Sequence, residues 1–343
     1  MTGSQSGALS LSLVVPAFNE SLRLADGLAR INGAIALGAI VPSTTEFVIV
    51  DDGSSDDTAG RAAELFGIFP HVQIIRLPDN KGKGAAVRAG VAAARGAVIA
   101  FADADMAIDP AQTPEFLAAL TTSDIAIGTR AAVGASVDRP NLRRSVMNRA
   151  FNQMVNAMTR LSLQDTQCGF KAFRAPVAKL LFHCSVTERF AFDVEVLMLA
   201  RRLGFDIGEV PVHWLRVEGS RIRPVADAIS MARDVFRATR GSVVAPSVVA
   251  LSVQVPSTTS RSVTDQVVAS LSAGLPVIEG DEGSVVVLCP MMTDGGITLT
   301  VNHIGDAIPG AAIEKSLLTV TQLGDLAPLV LPWDKGAKSP IAP

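Results

Sequence analysis

Residues 98–110, VIAFADADMAIDP, run from an apolar segment into two carboxylates, Asp103 and Asp105, one residue apart. Like charges that close repel, and each raises the other's pKa unless a cation compensates them. The compensating charge is a divalent ion, an Arg or Lys, or a ligand that carries a metal. The alternative is an acidic turn ahead of an element opened by Asp109 and Pro110. Two more segments have chemistry to offer. In DDGSSDDT, Asp51 and Asp52 supply acceptors for a base or ribose, and Gly53 permits close backbone approach, although Ser54, Ser55 or Asp56 could equally cap a following helix. In NKGKG, Lys81 and Lys83 stand among glycines at a helix start, a setting that favours anions. Neither the GxxxxGK[ST] nor the GxGxxG spacing is present, which argues against ATP hydrolysis and dinucleotide chemistry. Carboxylates at a strand end suit a hard divalent ion bridging a diphosphate. The combination describes a nucleotide-diphosphate-sugar site.

The elements that must position these groups alternate. Strands are expected at Leu11–Val15, Glu46–Val50, Val72–Arg76, Ala97–Phe101 and Asp124–Ile127. Between them, helical periodicity covers residues 20–37 (Leu22, Leu24, Leu28, Ile31 and Ile35 inward), 57–66, 82–94 and, from the Thr113-Pro114 start, a run to Leu120. Such alternation predicts an α/β fold with a doubly wound, mostly parallel sheet and helices on both faces. Ligands in such sheets sit beyond the carboxyl ends of the strands. Those five ends carry PAFNE, DDGSSDDT, NKGKG, DADMAID and GTR, so each delivers polar residues, Gly or Pro to the same edge.

Charge is nearly balanced over the 343 residues, with 30 Lys and Arg against 33 Asp and Glu, so no nucleic-acid partner is implied. Residues 130–174 carry eight basic groups against two acidic, whereas residues 241–343 carry four against nine. An anion site in the middle and a separate module at the end are therefore expected. Cys168, Cys184 and Cys289 have no CxxC or Cys/His spacing, which argues against structural zinc and a disulfide framework and fits a reducing compartment. The start lacks a basic n-region, and no window reaches 18–20 uninterrupted apolar residues, so neither signal peptide nor membrane span is expected despite a mean hydropathy of +0.36.

In order, LVVPAFNE, VIVDDGSSDDT, NKGKGAAVRAG, FADAD, GTR, DTQCGFKAF and ERFAFDVEVLMLARRLGFDIGEVPVHWLRVEGSRI resemble family-2 glycosyltransferases of GT-A fold, over roughly residues 10–240. The likeness is greatest to the dolichyl-phosphate β-glucosyltransferase branch, with dolichyl-phosphate mannose synthases near it. The resemblance implies that Pro16, Ala17, Asn19 and Glu20 line the nucleotide pocket, that Asp51 or Asp52 meets the base, and that Lys83 lies near the nucleotide. It makes Asp103 and Asp105 the DxD pair holding Mg2+ or Mn2+ against the donor, with Asp105 the first metal ligand. Mannose synthases typically place Gln two residues after the second Asp; Ala107 stands there, which favours a glucosyltransferase and leaves more of the metal to the diphosphate. The implied donor is UDP-glucose, with GDP-mannose second, and the implied acceptor a polyprenyl phosphate.

A lipid monophosphate is already ionised near pH 7, so its attack on an anomeric carbon needs cations more than a base. Arg130, Arg143, Arg144, Lys171 and Arg221 are the candidates to hold it, with Arg130 also assigned to the catalytic set beside Asp103, Asp105 and Asp165. A hydroxyl acceptor, soluble or on a glycolipid, would instead need a carboxylate base, for which Asp165 or Asp193 could serve. One-step displacement from an α-linked donor inverts to a β-product. A sugar-nucleotide-binding scaffold with little activity is the alternative outside enzymes. Glu188 and Asp193 are open between helix caps and site residues, His213 and Trp214 are read as supports for residues 218–220, and Cys168 as packing.

Helices at 143–161 (Met147, Phe151, Met154, Met158, Leu161) and 224–239 combine apolar stripes with arginines, which makes peripheral attachment to a membrane surface the expectation and the cytoplasm, or its membrane face, the location. The expected domain plan is a disordered start (1–9), the glycosyltransferase domain (10–240), a small α+β module, mostly strand (241–333), and a flexible tail (334–343). An assembly role, in a homo-oligomer or with a protein partner, is expected of that module.

Overall fold

A computed structural model of the protein describes residues 9–138, 142–215, 233–236, 248–256, 259, 277–279, 284–290 and 294–318. The alternating part runs β1 (Leu11–Ala17), α1 (Leu24–Ala36), β2 (Thr45–Asp51), α2 (Thr58–Phe66), β3 (Val72–Arg76), α3 (Lys83–Ala93), β4 (Val98–Ala102), a 3-10 turn at Pro110–Gln112, α4 (Thr113–Ala119) and β5 (Ile125–Thr129). There follow β6 (Ser136–Val137), α5 (Leu142–Thr159), β7 (Phe170–Arg174), α6 (Ala175–Cys184), α7 (Phe192–Arg202), β8 (Ile207–Pro211) and β9 (His213–Trp214). The main sheet has seven strands in the order β3-β2-β1-β4-β7-β5-β8. Only β7 runs antiparallel to its neighbours, β4 and β5.

Side chains alternate across this sheet, and both sets are buried. Val14, Val48, Ile99, Phe101 and Phe173 face a core shared with α3, α6 and α7. Leu13, Phe47, Ile49, Ala100 and Phe170 face the opposite core, which α1, α2 and α4 cover through residues such as Leu28, Phe66 and Phe116. The fold is thus α/β and doubly wound, as its periodicity predicts.

Two expectations are corrected. Leu22 is 90 % exposed rather than in the core. Helix α1 begins only at Leu24, because the chain before it is tied to the next loop: Ser21 donates from both N and Oγ to Asp56, and the Glu20 N–H donates to Thr58 Oγ1. The apolar stripe of α5 is also not a free face. Phe151, Met154 and Met158 pack against the main core, where Val155 and Leu161 are fully buried, while Arg149 and Arg160 are exposed. Of the second expected basic helix, residues 233–236 are helical and the rest lies outside the described residues.

At the amino ends of the strands, opposite the chemistry, Glu46 is buried and collects Ser12 Oγ (2.7 Å), Gln73 Nε2 (2.7 Å), and the Arg95 backbone N–H (2.9 Å) and Nε (2.7 Å). Burial pushes its carboxyl up, but these donors outweigh burial and leave the pKa below the ordinary 4.5. A carboxylate with a lowered folded-state pKa stabilises the fold above its unfolded pKa, and that contribution is lost as pH falls through the folded value. Glu46→Gln is therefore expected to cost about 2–3 kcal/mol at neutral pH. Denaturant melts of both proteins between pH 7 and pH 3 should show the gap closing in acid; a constant gap would contradict the assignment.

A second sheet, antiparallel and four-stranded, has the order β11-β12-β10-β13, from β10 (Val248–Gln254), β11 (Val277–Glu279), β12 (Ser284–Cys289) and β13 (Ala312–Leu318). Leu251, Val253, Val285 and Val287 pack with Ile297 and Ile304 of helix α8 (Asp294–Ala307), whereas Val248, Ala250 and Leu288 join the core that contains α6. The boundaries expected near 240 and 333 fall outside the described residues. Among the described residues no helix is long and apolar enough to cross a membrane.

Candidate active site

The loops at the carboxyl ends of the strands are built on one another. Asn19 adopts φ +54°, a left-handed conformation that Asn tolerates better than most residues. Its N–H donates to Ser54 Oγ (2.8 Å), and its Oδ1 accepts from the Ser55 N–H (2.8 Å). Asp51, buried, accepts from the Ser54 N–H (2.9 Å) and lies 3.4 Å from Arg76 Nε. Asp52 accepts from the N–H groups of Lys81 (2.9 Å) and Gly82 (2.8 Å) and so holds the NKGKG loop. Burial pushes the Asp52 carboxyl up, aided by the Asp51 and Glu188 charges, and the two N–H donors only partly oppose this. Asp52 is thus committed to the loop, whereas Asp51 Oδ2, buried, accepts no hydrogen bond. Pro16 and Ala17 close β1 beneath this layer, and Glu20 pairs with Arg23 Nε at 2.6 Å.

The same loop delivers Lys83. Gly82 has φ +111°, open only to glycine without strain, and α3 starts at the next residue. Lys83 Nζ lies 2.5 Å from Asp103 Oδ1 and 5.9 Å from the ring centroids of both Phe101 and Phe192. Burial works against its charge, yet Asp103, Asp193 and Asp105 outweigh it and hold the ammonium protonated. On the other side of the acid, Gly169 leaves no room: a Cβ there would stand 2.2 Å from Asp103 Oδ2. Asp105 is half-buried, accepts from the Ala107 N–H (3.1 Å), and has its carboxyl pushed up first by burial and then by Asp103. Met106, at φ +46°, gives its carbonyl to Arg30 Nη1 (2.8 Å), which pins the far side of the DxD turn.

Two ion pairs lie beyond. Asp165 takes Arg130 in a fork, Nε to Oδ2 at 2.6 Å and Nη2 to Oδ1 at 3.0 Å. Burial raises the Asp165 carboxyl, but Arg130 outweighs it and leaves the pKa lowered; the guanidinium, in turn, is held protonated by Asp165 against burial. Lys171 is only 1 % exposed, and its Nζ donates to Asp193 Oδ1 (2.7 Å) and the Cys168 carbonyl (2.9 Å). Lys171, expected among the groups that touch an acceptor phosphate, thus has its ammonium between Asp193 and the loop before β7. Asp193 is likewise Lys171's counter-ion, in the first turn of α7. Cys168 is buried, with its thiol pushed up to about 12, mainly by burial.

The structure thus gathers Asp103, Asp105, Lys83, Arg130, Asp165, Lys171 and Asp193 at one end of the sheet, beside the Asn19–Ser54 layer. Arg143 and Arg144 belong to α5, but their side chains are not among the described ones; Arg221 and residues 218–220 lie outside the described residues. His213 Nδ1 contacts Ser136 Oγ (2.5 Å), and Trp214 bridges to Ile108. Glu188 is exposed, and its carbonyl accepts from the Ala85 N–H. Sequence reasoning missed Glu195, whose carboxylate takes the Val186 and Thr187 N–H groups and so fixes the turn against which Gly82 and Gly84 pack. It stands inside ERFAFDVE, where its burial was the missing signal.

Among the described residues no three His, Cys, Asp or Glu side chains converge as a complete metal site. Asp103 and Asp105 nonetheless fit a hard divalent ion as a partial oxygen-donor set, since the burial and mutual repulsion that disfavour Asp105's charge are what a cation would relieve.

Comparison with known proteins gives this geometry its family. Residues 12–182 match the family Glycosyl transferase family 2. The chain is 36% identical over 244 residues to a dolichyl-phosphate beta-glucosyltransferase of Drosophila melanogaster, covering 67% of this chain and 74% of that protein. It is 33% identical over 240 residues to the Dictyostelium discoideum protein of the same name, covering 66% and 73%. Among solved structures it is similar to glucosyl-3-phosphoglycerate synthase from Mycobacterium tuberculosis, in complex with Mn2+, UDP and phosphoglyceric acid, with TM-score 0.52, 21% identity, and coverage of 69% and 79%; that likeness concerns the fold. The chain belongs to glycosyltransferase family 2, in GT-A fold, and is a glycosyltransferase.

Proposed function

We propose that the protein transfers glucose from UDP-glucose to a polyprenyl phosphate of the dolichyl type, with inversion to the β-linked product, at the cytoplasmic face of a membrane. The observation that carries the acceptor reading is that both carboxylates able to act as a base are already committed. Asp165 is forked to Arg130 and its carboxyl is held low, and Asp193 is sealed against Lys171. With its carboxyl held low, Asp165 is a poor proton acceptor. A hydroxyl nucleophile would go unassisted, whereas a phosphate monoester arrives ionised. The relatives' printed name, dolichyl-phosphate beta-glucosyltransferase, supports the same acceptor and sugar.

In this reading the Asn19–Ser54 layer, with Pro16, Ala17 and Glu20, receives the nucleotide, and Asp51 and Asp52 shape it from below. Asp103 and Asp105 would hold Mg2+ or Mn2+, whose charge would stabilise a leaving diphosphate. Arg130 uses Nε and Nη2 on Asp165, so Nη1 is the part of its fork left for the acceptor phosphate, with Arg143, Arg144 and Arg221 as further cations. The one-step displacement then needs no proton transfer from the acceptor.

Arg130→Lys keeps the charge but loses the fork, and is expected to lower kcat/KM for transfer about 10- to 100-fold while leaving UDP affinity near wild type. Equal loss in both would contradict an acceptor-side role. The donor is tested by offering UDP-glucose, GDP-mannose and other nucleotide sugars with one polyprenyl phosphate. Transfer from UDP-glucose at least tenfold above the rest is expected; preference for GDP-mannose would overturn the donor assignment.

A further inference from the structure

The ion pair between Lys83 and Asp103 occupies the place where a metal must bind. Lys83 Nζ sits 2.5 Å from Asp103 Oδ1, with the lysine side chain 19 % exposed and the aspartate 39 %. Neither partner has an easy alternative. Asp103 Oδ2 lies against Gly169, where a Cβ would stand only 2.2 Å from it. The backbone of Lys83 is fixed from behind, because Asp52 holds the two preceding N–H groups and Asn80–Gly84 leads straight into α3. Phe101 and Phe192 flank the ammonium at equal distances and confine its stem. Rotation of the lysine side chain would release the carboxylate, with Asp193 and Asp105 also near its charge.

A divalent ion on Asp103 would stand within a few ångströms of that ammonium, and the two cations would repel. A diphosphate changes the balance. It brings negative charge that the lysine ammonium can pair with in place of Asp103. The ammonium then has somewhere to go, and Asp103 is freed.

We propose that Lys83 is a resident counter-ion of the DxD pair, which competes with the divalent metal for Asp103 and makes metal binding conditional on the donor diphosphate. The inference rests on the reading of Asp103 and Asp105 as metal ligands. It gives Lys83 a positioning and gating role toward the metal, beyond proximity to the nucleotide. Its consequence is reciprocal: the nucleotide tightens the metal, and the metal tightens the nucleotide, by the same factor.

The test is Mn2+ binding to the full chain, followed by electron paramagnetic resonance of the free ion, with and without UDP. Wild-type protein is expected to bind Mn2+ at least about tenfold more tightly with UDP than without. Lys83→Met is expected to bind Mn2+ alone about tenfold more tightly than wild type and to lose most of the UDP effect. A merely structural lysine would not improve metal affinity when removed. Unchanged or weaker Mn2+ binding by folded Lys83→Met, without UDP, overturns the inference and leaves the metal assignment standing. Wild type that binds no Mn2+ even with UDP overturns both. Should Lys83→Met fail to fold, Lys83→Gln takes its place, and unchanged or weaker Mn2+ binding by that variant without UDP overturns the proposal alone.

Discussion

Asp105→Ala is expected to lower kcat/KM for glucosyl transfer by about a thousandfold, or roughly 4 kcal/mol of transition-state stabilisation. The size follows from how little else is available to do the same work. Asp103 is shared with Lys83, and among the described residues no third His, Cys, Asp or Glu completes a metal site. Asp105 is held by a single bond from the Ala107 N–H, so its removal leaves the turn anchored by the Met106 carbonyl and Arg30. The fold should therefore survive. Melting temperature within a few degrees of wild type, loss of Mn2+ binding in the presence of UDP, and loss of transfer are expected together. Retained transfer at a tenth of wild type or better would remove Asp105 from the metal site.

The second large effect is expected from Gly169→Ala, a methyl group that changes no charge. The new Cβ would meet Asp103 Oδ2 at 2.2 Å, well inside contact distance, and its neighbour is a carboxylate that Lys83 also restrains. Either Asp103 shifts by about an ångström or the turn before β7 does. Displacement of that order at a reacting centre costs about a hundredfold in rate. A loss of kcat/KM near that size is expected, with UDP affinity in the absence of metal little changed. Activity within threefold of wild type would show that the Asp103–Gly169 contact yields without consequence.

The sheet was legible because a buried parallel strand is a short Val/Ile run, and five such runs stand in order before the polar loops. The DxD pair and the NKGKG loop were legible for a related reason: their chemistry is carried by neighbours in sequence. What could not be read is pairing across distance. Arg130 and Asp165 are 35 residues apart, and Lys171 and Asp193 are 22 apart. Taken singly, each looks like a free cation or a free base; the structure joins them in pairs. Leu22 looked inward because helical periodicity continues through it, but the loop tie from Ser21 and Glu20 consumes that turn. The stripe on α5 had the right spacing for a membrane face or a core face, and periodicity alone does not say which. The β-branched segment around Ile297–Val301 lies in α8, where packing against the second sheet overrides its strand preference.

The central claim, a phosphate acceptor reached without a general base, is tested most directly by one paired measurement. Purified protein is given UDP-glucose labelled in the sugar, Mg2+ or Mn2+, and either a polyprenyl phosphate or the matching polyprenol. The account predicts label in a β-glucosyl phosphate lipid from the phosphate alone, with none from the alcohol. Transfer to the alcohol, or to a glycolipid hydroxyl in preference to the phosphate, would contradict it and return Asp165 or Asp193 to the role of base.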